Sequence, residues 1–140
     1  MNASQVKNEG PLSGFRIVDL SQVLSGPAAT MLLGDQGAEV IKVESLHGDI
    51  TRKLGTGSAG VSTFFFNINR GKRAICVDIK TPEGGEVIRR LIKTGDVLIQ
   101  NFRPGVMEKL GLGYDDVRAI REDIVYVSIS GFGNKGPYVN

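Results

Sequence analysis

In Asn101-Phe102-Arg103-Pro104-Gly105, an amide, an aromatic face and a guanidinium follow directly on four strand-type residues, Val97-Leu98-Ile99-Gln100. Pro104 has no N–H for a ladder and turns Arg103 away from helical geometry, so the strand has to end here. Gly105 is permissive enough for a new element to begin at once. If the strand lies in a parallel sheet, these three groups sit together at the carboxyl edge where open α/β folds bind ligands. The competing reading is a connector, with Asn101 and Arg103 capping the loop and Phe102 plugging the edge of the core. Two further places invite the same question. Ser25-Gly26-Pro27 opens a helix whose N-terminal amides favour anions. Glu44 closes a strand where open α/β sheets hold a ribose. A helix cap and a strand-end charge account for these two about as well.

Other chemistry is set aside on the residues themselves. His47 is the sole histidine and lies in a loop beside Gly48 and Asp49, so neither a metal site nor a His–Asp–Ser triad is nominated. Cys76 is the sole cysteine, excluding an internal disulfide, and within Ala74-Ile75-Cys76-Val77 it reads as a small buried hydrophobe. Gly131-Phe132-Gly133-Asn134-Lys135-Gly136 has G-x-G-x-x-G spacing after a strand, but Pro137 follows and the sequence ends at Asn140, without the helix and strand that a dinucleotide fingerprint needs. Gly55-Thr56-Gly57-Ser58-Ala59-Gly60 lacks the Gly-Lys-Ser/Thr ending of a phosphate-binding P-loop and reads as a flexible loop.

These residues need elements to position them. Residues 1–13 read as a flexible tail, and 14–140 as one domain without repeats or linker. Arg16 to Leu20 is a short β-branched strand, Gly26 to Leu33 a helix stopped by Gly34 or Gly37, and Glu39 to Glu44 a second strand, a compact βαβ unit with parallel strands. Ser45 to Ser62 has no period and is expected to be a long loop. Thr63-Phe64-Phe65-Phe66 reads as a short strand or a helical turn, and Asn67 to Arg73 as a basic turn. Ala74 to Ile79 is a third strand. Thr81-Pro82-Glu83 starts the longest helix with an N-cap, a proline and an acid, and Val87, Ile88, Leu91 and Ile92 form its apolar stripe. After the Val97–Gln100 strand come a helical turn or two over Val106 to Leu110, a helix over Tyr114 to Ile120 and a last strand over Ile124 to Ser130. This order implies an α/β fold with a mostly parallel sheet. The loops Ser21–Gly26, Ser45–Gly48, Asn101–Gly105 and Gly131–Pro137 then share one sheet edge, suiting an extended, phosphate-bearing ligand.

Composition bounds the class. With 17 basic and 15 acidic residues among 140, the net charge of +2 is too balanced for a nucleic-acid footprint. No apolar run approaches a membrane span, and Met1 to Gly14 has no signal-peptide core, so a cytoplasmic protein without membrane or nucleic-acid partners is expected.

The ordered series Leu12 to Leu20, Gly26-Pro27, Gly37 to Glu44, Gly48-Asp49, Asn69 to Arg73, Val77 to Lys80, Asn101 to Gly105, Leu110-Gly111 and Gly131 to Gly133 resembles the N-terminal portion of the family III coenzyme A transferases. These are the CaiB/BaiF enzymes, including formyl-CoA and carnitine-type transferases and α-methylacyl-CoA racemase. The resemblance implies a Rossmann-like domain, here truncated, that takes coenzyme A or an acyl-CoA as substrate without a metal. It also implies a carboxylic acid as co-substrate and an interlocked homodimer. By position, CoA contacts are expected at Leu24, Ser25, Ser45, Val77, Asp78, Ile79, Lys80, Asn101, Phe102, Arg103, Lys109, Ser130, Gly131, Phe132 and Gly133. Arg103, Lys80 and Lys109 would offset phosphate charge. Ser45 departs from the pattern, since many relatives carry a basic residue there.

The resemblance also implies that the family's aspartate nucleophile lies downstream of Gly131-Phe132-Gly133. Asp115, Asp116 and Asp123 precede the last strand and are not candidates. No catalytic residue is therefore expected in these 140 residues, and the chain alone is expected to be inactive. A free-standing CoA- or nucleotide-binding module and a racemase-type parent remain as alternatives.

Overall fold

The computed structural model describes residues 9–55, 60 and 62–139. Five strands, β1 (Arg16–Asp19), β2 (Glu39–Glu44), β3 (Arg73–Cys76), β4 (Val97–Gln100) and β5 (Val125–Ser128), form one sheet in the order β3-β2-β1-β4-β5. Every pairing is parallel. The chain builds outward from β1 to β3, then returns to the other side of β1 for β4 and β5. The order therefore reverses between β1 and β4, the place where open α/β sheets leave a crevice at their carboxyl edge.

Successive residues of a strand face opposite sides, and both sides are buried here. Ile17, Val40 and Ile99 point to one side, where Leu33 of α1 (Ser25–Asp35) packs against them. Val18, Val43 and Leu98 point to the other, beneath Ile88 and Ile92 of α3 (Pro82–Thr94) and Val117 of α5 (Tyr114–Ile120). Ile88 and Ile92 are fully buried and Val87 and Leu91 flank them, as the helical stripe requires. The start of α3 matches its sequence signature: the Thr81 side chain accepts the Gly84 N–H at 3.1 Å, with Pro82 in the first turn.

Several local expectations change. Thr63–Asn69 is a helix, α2, which overruns the expected basic turn. The Ser62 hydroxyl accepts the Phe65 N–H at 3.1 Å and so starts a helix where three phenylalanines alone left the choice open. The expected loop from Ser45 contains a 3-10 turn, Ile50–Lys53, capped by Asp49. Of the glycine-rich stretch 55–60, residues 56–59 lie outside the described residues. β3 ends at Cys76, short of Ile79, because Asp78 starts a turn: its carboxylate accepts the Lys80 N–H and its carbonyl the Thr81 N–H. Cys76 is exposed, not buried, because β3 is an edge strand. At the N-terminal side, where a tail through Ser13 was expected, Leu12 donates its N–H to the Gln36 carbonyl at 3.0 Å and packs on the Ile17–Val40 side.

Candidate functional site

The parallel sheet brings the four loops to one edge, and two cavities open there on either side of Phe102. The first, about 370 Å³, lies over the ends of β1, β2 and β3 and is walled by Ser45, Val77, Asp78, Ile79, Lys80 and Phe102 together with Gln22, Leu46 and His47. The second, about 430 Å³, lies towards β5, with Ser25, Asn101, Phe102, Arg103, Ser130 and Gly131 in its wall. Leu24, Lys109, Phe132 and Gly133 line neither cavity. Leu24 is the N-cap of α1, Lys109 ends α4 (Val106–Lys109), and Phe132 is 74% exposed with its ring against Tyr138. Gly133 donates its N–H to the Ser130 hydroxyl at 2.9 Å. Gln22, Leu46 and His47 were not singled out as binding residues in the sequence, although each follows a strand end, the one signal that marks them.

Backbone geometry at this edge is set from beneath by buried polar groups. Gln100 donates to the Ser128 hydroxyl and accepts the Phe102 N–H, both at 2.8 Å, so it fixes the turn that presents the ring. The α1 N-terminus approaches the loop after β1 closely at Gly26, where an added Cβ would lie 2.2 Å from the Ser21 Oγ. Asp19, wholly buried, accepts hydrogen bonds from Ser21, from Thr30 at 2.6 Å and from Lys72 at 3.1 Å. Lys72 also donates to the Pro27 carbonyl at 2.8 Å. Burial pushes the Lys72 ammonium below its ordinary pKa, and Asp19 pulls against that shift. α1 is thus tied to β1 and to the turn before β3. Its first turn receives no side-chain cap, in contrast to α2 and α3, and Ser25 at that end lines the second cavity.

Glu44 also lines the first cavity, but its carboxylate is taken up by the scaffold, which favours the strand-end reading over a ribose ligand. Its two carboxylate oxygens take the Arg52 guanidinium at 2.7 Å each, and one also accepts the Asp49 N–H at 2.8 Å. Burial raises its pKa, but the Arg52 and Asp49 donors outweigh burial and leave the carboxyl below the ordinary value. Arg52 in turn lies over the Phe65 ring at 3.9 Å. Among the described residues, no group of three or more His, Cys, Asp or Glu side chains is placed to hold a metal ion, and no helix is long and apolar enough to cross a membrane.

A five-stranded parallel α/β sheet with paired cavities at its carboxyl edge is an open α/β domain of the doubly wound type, and comparison with known proteins narrows it. The sequence model of CoA-transferase family III matches residues 12–140, and the chain belongs to that family. Succinyl-CoA:glutarate CoA-transferase of Homo sapiens is 47% identical, the match covering 96% of this chain and 31% of that protein. An acyl-CoA transferase of Fusarium pseudograminearum is 44% identical, over 96% of this chain and 32% of its own length. The crystal structure of a CAIB/BAIF family protein from Brucella suis superposes with a TM-score of 0.88 at 44% identity, covering 93% of this chain and 36% of that one. The chain spans about a third of the length of the curated relatives it matches.

Proposed function

We propose that this chain holds a CoA thioester along the carboxyl edge of its sheet, as the CoA-binding part of a family III CoA-transferase whose second substrate is a carboxylic acid. The observation that carries the reading is the pair of cavities meeting at Phe102, with Lys80 in one wall and Arg103 in the other. An extended ligand with phosphates and an apolar middle matches two cationic ends and a central ring. The lack of a side-chain cap at the first turn of α1 supports the same reading, because Ser25 at that end lines the second cavity and helix N-termini favour anions. Matched relatives such as the human protein are named for transfer of CoA between two acids, which supports transfer chemistry in the whole protein.

Calorimetric titration with CoA tests this. Arg103→Ala and Lys80→Ala are each expected to weaken binding about ten-fold while leaving the melting temperature in place, and added salt should weaken the wild type in the same direction. Both residues are exposed, so their loss removes a ligand contact and little packing. Absence of CoA binding by the wild-type chain would overturn the reading. We further propose that the 140-residue polypeptide binds without exchanging CoA, since the family resemblance assigns the nucleophilic aspartate to a later segment. CoA exchange between an acyl-CoA and an acid by the purified chain would overturn that.

We also propose that the chain self-associates. The exposed edge of β3 and the exposed Phe66 and Leu32 on the neighbouring helices support a second copy as partner. Sedimentation at micromolar concentration should show a dimer or larger species, and a monomer throughout would count against it.

A further inference from the structure

The loop from β1 to α1 holds a backbone conformation that its own sequence does not favour. Val23 sits at φ 68°, alone among the described non-glycine residues in having a positive φ. The left-handed region is a true outlier for a β-branched residue and persists only where surrounding structure imposes it. The Val23 side chain does not impose it, being 45% exposed.

The restraint comes from two sides. Asn101, directly after β4, grips Gln22 by both of its backbone groups: the side-chain oxygen accepts the Gln22 N–H at 2.8 Å and the side-chain nitrogen donates to the Gln22 carbonyl at 2.8 Å. From the β2 side, Asp49 accepts the Val23 N–H at 3.3 Å. Lys42, only 1% exposed, bridges Asp49 at 3.1 Å and the Ser21 carbonyl at 3.0 Å. Three consecutive residues are thus clamped by side chains from the two neighbouring strands and their loops. The clamped segment matters because Gln22 lines the first cavity and Ser25 the second.

We infer that Asn101 is a positioning residue, which with the Lys42–Asp49 pair holds Ser21–Val23 in the strained form that leads into both cavities, and is not itself a ligand contact through its side chain. This rests on the reading that the edge binds CoA. Both polar atoms of Asn101 face the Gln22 backbone, and the residue acts on ligand through that loop.

Asn101→Ala and Asn101→Asp test the inference by CoA titration, thermal melting and NMR amide exchange at Gln22 and Val23 in the free protein. Asn101→Ala is expected to speed Gln22 amide exchange and to weaken CoA binding, each about ten-fold, as loss of a paired hydrogen bond implies. Asn101→Asp keeps the acceptor for the Gln22 N–H but sets a carboxylate oxygen against its carbonyl, so it should speed exchange and weaken binding at least as much as Ala. A residue that merely supports folding would lower the melting temperature and leave the affinity of the folded protein alone. Weaker CoA binding with unchanged Gln22 and Val23 exchange marks a direct contact and overturns the inference, as does full affinity despite faster exchange. Should the alanine variant fail to fold, the aspartate variant decides by the same readouts. If the wild type binds no CoA, the functional reading falls separately, and the exchange data alone uphold or overturn the clamp.

Discussion

Asp49→Ala should destabilise the protein by about 3–5 kcal/mol, the cost typical of leaving one partner of a buried ion pair uncompensated. Lys42 would keep only the Ser21 carbonyl beside an ammonium that is buried in the native state. The same substitution removes the cap of the 3-10 turn, where Asp49 accepts the Thr51 N–H at 2.9 Å and the Thr51 hydroxyl at 2.7 Å. Against a typical total stability of about 5–15 kcal/mol, the urea midpoint should fall by a large fraction. Adding Lys42→Met to Asp49→Ala should recover part of the loss, because the stranded charge is then gone. A single-variant cost under about 1 kcal/mol would show that the pair is not buried as described.

Asp49 also contributes to the acid response. Burial raises the Asp49 pKa, but the Thr51 N–H and hydroxyl and the Lys42 ammonium outweigh burial and hold it below the ordinary value. Glu44 is shifted in the same direction. A carboxyl whose folded pKa lies below its unfolded one contributes stability that is complete above the unfolded value, near pH 4, and is lost as pH falls through the folded value. The urea midpoint should therefore hold from these two groups between about pH 5 and 8 and decline below about pH 4. In Asp49→Ala the decline should be shallower. An equally steep decline would assign the acid sensitivity elsewhere.

Gly84→Ala and Gly85→Ala, neighbours in the first turns of α3, should act in opposite directions. A methyl on Gly84 would lie 1.9 Å from the Asp78 carbonyl oxygen and 3.0 Å from a Val77 methyl. A backbone oxygen cannot rotate away, so the helix start has to back off and strain the Thr81 cap, at about 1–3 kcal/mol or more. The wall of the first cavity at Asp78–Lys80 would move with it, so CoA affinity should drop as well. At Gly85 the nearest atom to an added methyl is the end of the Arg89 side chain at 3.4 Å, which can give. Relief of glycine's conformational freedom should then raise stability by about 0.5–1 kcal/mol. Thermal melts of the two variants check this, and shifts of the same sign would refute it.

Much of this architecture is legible in the sequence where local rules act alone. β2, β4 and α5 have the bounds that their apolar patterns predict, and Thr81-Pro82 starts α3 as a cap-and-proline pair should. Legibility fails where the answer depends on strand order. The run around Cys76 looks buried because β-branched neighbours look buried, yet β3 falls at the edge. It fails again where a charge is buried by a distant partner. Lys72 reads as part of a basic turn, and its carboxylate partner Asp19 lies 53 residues earlier. The site shows the same division. Positions after strand ends mark the two cavities, but Asn101 reveals its hold on Gln22 only when residues 79 apart are brought together.

The placement of β1 at the centre of the sheet has a consequence for synthesis. β1 is made before the other four strands, and its two neighbours come from very different times: β2 follows within a few turns of chain, while β4 waits until Val97. Arg16 and Asp96, which meet at 2.7 Å, are 80 residues apart. At about 5–20 residues per second, a nascent chain carries β1 with one flank open for roughly 4–16 s. During that interval the apolar residues Ile17 and Val18 lack the cover that β4 supplies, and an exposed apolar strand flank is a feature that chaperones bind.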